Sequence, residues 1–394
     1  MLKFNQILLL ISSFALSVLP ESHAAITREK AKFVSATKNA EVSIETLKAF
    51  TNGFGQHRIS KLLKYGVRSY TVVYETKWKG QSIKASGLVL VPTGVSGAAP
   101  LLSVQHGTIF SKDEAPTASG GYTGMELFAS AGYIVVMPDY LGYGTSSQIF
   151  HPYYDEGYSA FAVIDMISSA KEFLAKEKVK FNDKLFLAGY SEGGYVTLAA
   201  ASEIERTKSH ELKITAIAAG AGGYDLMHML SGVTTNTHYA YPAYLAFVLM
   251  SYNNTYGWNK PLTYFFKKQY ADALTKYMGA SAGWTINSHL TTNLPSLFDT
   301  NFFARLKTPK GETELKEALK TNSIEGWKTS TPIRLYHGTK DEIIPFKNSE
   351  STLRGFHDAG SRHVSLTSIP GGTHGSSFYP MMEMFIPWFI ELKD

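Results

Sequence analysis

From Tyr70 onward the chain alternates between two rhythms. Short apolar, β-branched runs, "LLSVQHG", "YIVVMPDY", "KLFLAGY" and "ITAIAAGAG", are separated by stretches whose apolar residues recur every three or four positions. The clearest such stretch is "YSAFAVIDMISSAKEFLAKEK". The runs predict strands and the stretches between them predict helices. Ahead of them, "YTVVYETKWKGQSIKASGLVLVP" predicts two strands joined by a turn near Lys79-Gly80. Two further runs, "PIRLYHG" and "HVSLTSIPGG", follow a long irregular insertion, and "MMEMFIPWFIELK" predicts a terminal helix. A hairpin plus six alternating strands gives about eight strands. Strands alternating with helices need crossover connections, so the sheet is expected to be mostly parallel with helices on both faces. Residues 25–67 are expected to form a mostly helical segment ahead of it, with Asn52-Gly53 as a stop.

In such a sheet ligands gather outside the carboxyl ends of the strands. There the chain places Gly189-Tyr190-Ser191-Glu192-Gly193, a G-x-S-x-G sequence between a predicted strand and an alanine-rich predicted helix. A sharp turn of this kind exposes the central serine in a strained conformation. Side chains two positions before and after it would collide where strand and helix converge, which accounts for the glycines. The helix N-terminus behind Ser191 adds free N–H groups where an oxyanion would form.

A serine hydroxyl needs a base and an acid that orients the base. On this kind of turn they follow in the order serine, acid, histidine, each after a later strand. Asp341, in "RLYHGTKDEIIPF", follows the next-to-last predicted strand; Glu342 beside it is its rival, and Asp225 in "GAGGYDL" is expected to order a turn instead. His374, in "SIPGGTHGSSF", follows the last strand, 33 residues after Asp341. His337, four residues before Asp341, reads as part of the strand end. The backbone N–H groups of Glu192 and of Thr108, in "SVQHGTIF", are the expected oxyanion donors. His106 and the "PDYLGYG" turn at Asp139 read as structural.

These residues together resemble the α/β-hydrolase superfamily. The HGT loop, D-x-x-G-x-G, G-Y-S-E-G-G, D-E-I-I-P and G-x-x-H-G occur in the expected order, over roughly residues 68–394. More narrowly, "HPYYDEGYSAFAVIDMISSAKEF" and "GYSEGG", with a long insertion after "AGGYDL", look like bacterial relatives of the secretory lipases. The resemblance implies an α/β-hydrolase fold and a serine carboxylesterase or lipase with a lid over its acyl pocket. It divides the chain into core at 68–226 and 329–394, with a lid or cap insertion at 227–328. The insertion carries ten aromatic residues between Asn236 and Phe266. A serine peptidase and an acyltransferase share the same residues and stay open as alternatives, as does a non-catalytic binding module.

Composition narrows the classes further. A formal charge of +5 over 394 residues is too mild and scattered to indicate a nucleic-acid partner. The expected partner is a small-molecule or lipid ester, with transient contact at a lipid interface. The chain contains no cysteine, which excludes disulfides and thiol chemistry. It contains no H-E-x-x-H, EF-hand loop or phosphate-binding loop either, so neither metal nor cofactor is expected. Residues 1–24 combine Lys3, an apolar run from Ile7 to Leu19 and Ser22-His23-Ala24, the pattern of a secretory signal peptide. A periplasmic or extracellular protein is the corresponding expectation.

Overall fold

The structure, a computed structural model, describes residues 31–53, 57–120, 123–207 and 211–393. The predicted signal segment at 1–24 lies outside the described residues. Nine strands form one sheet: β1 (Lys32–Val42), β2 (Val67–Trp78), β3 (Gln81–Pro92), β4 (Ala99–Gln105), β5 (Ile134–Pro138), β6 (Phe181–Tyr190), β7 (Ile214–Gly220), β8 (Ile333–Gly338) and β9 (Val364–Ile369). Their order is β1-β2-β3-β5-β4-β6-β7-β8-β9. The first four are joined antiparallel, and from β5 to β9 every pairing is parallel. This is an α/β-hydrolase sheet, covered by helices on both faces.

Successive strand residues point to opposite faces, and the burial follows that period. Leu101 and Leu187 pack with the helices Glu156–Lys176 and Glu192–Thr207, whereas Leu102 and Phe186 pack with the C-terminal helix Phe378–Lys393. Both sets are buried, so the central strands read as continuous apolar runs rather than alternating ones.

The N-terminal segment corrects one expectation. Helices do occur at Ile44–Gly53 and His57–Ser60, but Lys32–Val42 is a strand paired antiparallel to β2. Its register shifts between Phe33 and Ser35 and again between Lys38 and Ala40. Each shift inserts an extra residue, so no unbroken period-two pattern survives for the sequence to display. As an edge strand it also has few buried positions.

Between β7 and β8 the described chain is helical apart from two isolated bridges, His238–Asn293 and Phe266–Phe298. This insertion is tied to the core by a buried polar network. Asn322 Oδ1 accepts from the Glu156 N–H (2.8 Å) at the start of a core helix, and Asn322 Nδ2 donates to the Tyr256 hydroxyl (2.7 Å) of the insertion. Tyr195, on the helix behind Ser191, donates its hydroxyl to the Asn322 carbonyl at 2.7 Å. Tyr252 of the insertion donates to the Tyr154 carbonyl at 2.9 Å. Asn322 is fully buried, and removing its amide takes the acceptor from the Glu156 N–H, while the bonds of Tyr195 and Tyr252 run to backbone carbonyls and persist. We predict that Asn322→Ala costs about 1–3 kcal/mol in urea unfolding, because the Glu156 N–H loses its acceptor and the insertion loses a bond to the core. An unchanged midpoint would show that the network is not what joins insertion to core.

Candidate active site

Strand β6 ends at Tyr190 and the helix Glu192–Thr207 begins two residues later, leaving Ser191 alone on the turn. Ser191 has φ 59°, a left-handed conformation that costs a non-glycine residue of order 1 kcal/mol or more. The Ser191 N–H donates to the Gly220 carbonyl on β7 at 2.8 Å, which holds the strained residue in place. A Cβ at Gly189 would lie 2.1 Å from the Gly193 carbonyl oxygen, and one at Gly193 would lie 2.1 Å from the Gln105 carbonyl oxygen. No side chain fits either gap. The two glycines therefore allow the helix to start directly against the strand ends.

The Ser191 Oγ–H donates to His374 Nε2 at 2.9 Å. His374 Nδ1–H donates to Asp341 Oδ2 at 2.7 Å. The structure thus brings Ser191, His374 and Asp341 into one hydrogen-bonded line from three separate loops at the same sheet edge. His374 is held from behind by Tyr190, whose hydroxyl donates to the His374 carbonyl at 2.5 Å and whose ring centroid lies 5.3 Å from the imidazole. Glu342, the rival acid, accepts only the His374 backbone N–H, at 3.1 Å. Asp225 caps the helix Leu226–Thr235 by accepting from the His228 N–H.

Asp341 is buried, which pushes its pKa up, yet the net shift is well below the usual carboxylate range. The cause is the set of donors around it. His337 and His374 both reach Oδ2, and the N–H groups of Ile343 and Ile344 donate to Oδ1 at 2.9 and 2.8 Å. His337 has a larger part than a strand end. It is fully buried, and its Nε2 lies 3.2 Å from Asp341 Oδ2 and 2.9 Å from the Ile344 carbonyl oxygen. Both neighbours accept, so Nε2 carries the hydrogen, while Nδ1 meets the Ser349 hydroxyl at 2.7 Å. Its place four residues before Asp341 was the available signal for this role, but a histidine at a strand end carries no information about where its ring points.

Thr108 sits in the loop after β4, with its Oγ1 2.9 Å from the Tyr153 hydroxyl. Glu192 is the first residue of its helix, and an N–H there has no intrahelical acceptor. The His106 ring nitrogens lie 2.8 and 3.2 Å from the Gly107 and Asp139 carbonyls, so that residue orders the loop backbone. Asp139 is fully buried, and burial raises its pKa although Ser86 and Thr117 donate to it. Above Ser191 a cavity opens between core and insertion. Tyr153 and Ile343 line it from the core, and Leu230, Val248, Phe302 and Leu319 from the insertion. Its walls are almost wholly apolar. A serine hydrogen-bonded to a histidine, a carboxylate that orients the histidine, a helix N-terminus and an apolar chamber form a combination suited to acyl transfer.

Comparison with known proteins agrees with that chemistry. A family model described as secretory lipase matches residues 122–391. A solved structure from Legionella pneumophila, provisionally described as a hydrolase, is 25% identical with a TM-score of 0.84, covering 92% of this chain and 98% of its own. The rice cell wall degrading esterase LipA from Xanthomonas oryzae is 23% identical with a TM-score of 0.79, covering 92% and 97%. Candida antarctica lipase A in its closed state is 15% identical with a TM-score of 0.66, covering 93% and 84%. The last two likenesses speak to the fold alone. No curated protein matches.

The lowered pKa of Asp341 gives a signed expectation. Its folded value lies below the unfolded value of about 3.9, so its stabilisation is complete above that range and is lost as pH falls through it. We predict that the stability gap between wild type and Asp341→Asn, measured by urea unfolding, is widest near neutral pH and narrows progressively below about pH 4. A gap of constant size from neutral pH to pH 3 would contradict the origin assigned to the shift.

Proposed function

This chain belongs to the secretory lipase family and is a carboxylic ester hydrolase, and from that premise we propose that it works through an acyl-enzyme on Ser191. His374 takes the proton of Ser191 as the hydroxyl attacks the ester carbonyl. Asp341 holds the imidazole in the tautomer that presents Nε2 to the serine and stabilises the cation formed. The N–H groups of Thr108 and Glu192 bind the developing oxyanion. The alcohol departs with a proton from His374, and His374 then activates water to release the acid. The single observation that carries this reading is the line Ser191–His374–Asp341, with contacts of 2.9 and 2.7 Å, at the mouth of an apolar cavity.

The cavity lends itself to the acyl side of the ester. Its apolar walls reward burial of methylene groups at about 0.8 kcal/mol each, and an acetyl group has none to bury. We assign it to a medium- or long-chain acyl group. Export through residues 1–24 belongs to the same proposal, resting on the charge, apolar run and small residues of that segment.

We predict that the purified mature chain hydrolyses p-nitrophenyl octanoate and longer esters with higher kcat/KM than the acetate. Ser191→Ala should lower kcat by several orders of magnitude while near-ultraviolet circular dichroism stays unchanged. Wild-type turnover in Ser191→Ala would remove Ser191 from the mechanism. A preference for acetate would reassign the cavity.

A further inference from the structure

A second pair of ionisable side chains is buried behind the reacting groups. Glu192 follows the proposed nucleophile directly, and its side chain is 2% exposed. Its Oε1 lies 2.8 Å from Nε2 of His151, which is buried as well. His151 Nδ1 lies 2.7 Å from the Leu141 carbonyl oxygen. A carbonyl only accepts, so Nδ1 carries a hydrogen. Two lone pairs do not meet at 2.8 Å inside a protein, so one proton also sits between Nε2 and Oε1. It rests either on nitrogen, giving imidazolium and carboxylate, or on oxygen, giving imidazole and carboxylic acid. The pair has zero net charge in both forms.

Among the described residues, no charged side chain is packed against the pair to offset it. The rings of Tyr140, Tyr143 and Tyr153 surround His151 with centroids at 5.9, 4.9 and 6.0 Å, and Phe247 of the insertion approaches to 5.8 Å. Tyr154 and Tyr244 face Glu192 from the core and the insertion. Burial raises the pKa of all five tyrosines, that of Tyr244 to about 12, so they are neutral at ordinary pH. His106 stacks on Tyr140 at 4.0 Å, with its nitrogens turned to backbone carbonyls. The His151 carbonyl accepts the Ser251 hydroxyl at 3.0 Å, so the same residue is fastened to the insertion.

An uncompensated carboxylate on the first residue of a helix suits the helix dipole but opposes negative charge developing on an oxyanion at the same helix end. We propose that His151 is a positioning residue for this reaction: by sharing one proton with Glu192 it cancels that charge and fixes the residue whose N–H receives the oxyanion. The inference rests on the Ser191 mechanism proposed above. It adds a requirement to it, that turnover needs the pair neutral rather than needing the carboxylate as such.

Three variants separate charge from packing. Glu192→Gln keeps the backbone N–H, and its amide can donate to a neutral His151 and leaves the site uncharged, so kcat is expected to fall by less than about tenfold. His151→Gln removes the group that shares the proton with Glu192, and kcat is expected to fall on the order of a hundredfold with KM little changed. The double variant H151Q/E192Q restores neutrality and is expected to recover at least about tenfold over H151Q. A double variant no faster than H151Q, or a hundredfold loss in Glu192→Gln alone, overturns the proposal. Should H151Q fail to fold, Glu192→Gln decides by itself under the same criterion. Ser191→Ala, run alongside, tests the underlying mechanism separately. The ¹⁵N signals of the His151 ring in Ser191→Ala report the shared proton without turnover: a protonated or hydrogen-bonded Nε2 at neutral pH is expected, and a free, unprotonated Nε2 overturns the pair.

Discussion

The close approach of the helix Glu192–Thr207 to the ends of β4 and β6 is the constraint on which the rest depends. Two absent side chains make it possible, because a Cβ at Gly189 or Gly193 would meet a backbone oxygen at 2.1 Å. Once the helix starts there, Ser191 has nowhere to go but the left-handed turn, and its hydroxyl is presented above the sheet edge. The same approach brings the first helical N–H groups to the loop after β4 and sets Tyr195 under the insertion. Strain at Ser191 is tolerated because the sheet around it, buried on both faces, has no looser arrangement available.

Charge at the site is handled by pairing on every side. Asp341 stays ionised although buried, because four donors converge on its two oxygens, and one of them comes from His337 rather than from the base it orients. That arrangement limits how far Asp341 can move toward His374, since its other oxygen is committed to backbone N–H groups. Glu192 solves the opposite problem. Its carboxyl group lies among tyrosines that are neutral by virtue of burial, and a proton shared with His151 leaves the pair without net charge. One acid is kept charged and the other is kept from acting as a charge, within a few residues of the same serine.

Much of this was legible in the sequence where local chemistry dictates it. Patterning located eight of the nine strands in the described chain, most plainly the central ones, which are buried on both faces and carry little polar interruption. Ser191, Asp341 and His374 could be picked out because each stands just after a strand, among residues that only a tight loop uses. The unread parts share a cause. Strand β1 hides behind two bulges that break its period. His337 and His151 act through where their rings point, which depends on partners 4 and 41 residues away in the chain. Asn322, at the end of a charged helix, gave no sign that it would be fully buried between core and insertion.

The insertion therefore does more than cover the cavity. Asn322, Tyr252 and Ser251 bond it to the core through backbone carbonyls and amides at Glu156, Tyr154 and His151, all in or beside the segment that leads into the helix Glu156–Lys176. That segment also contributes Tyr153 to the cavity wall and His151 to the partner of Glu192. A displacement of the helix Pro242–Thr255, which carries Ser251 and Tyr252, would act on residues 151–156 as well as on Phe110 and Lys79, which also touch that helix. The apolar chamber that would take an acyl chain and the charge balance behind the proposed oxyanion site are thus mechanically joined through a single short stretch. Changes in how the insertion packs would be felt at Glu192 through His151 and not only at the chamber walls.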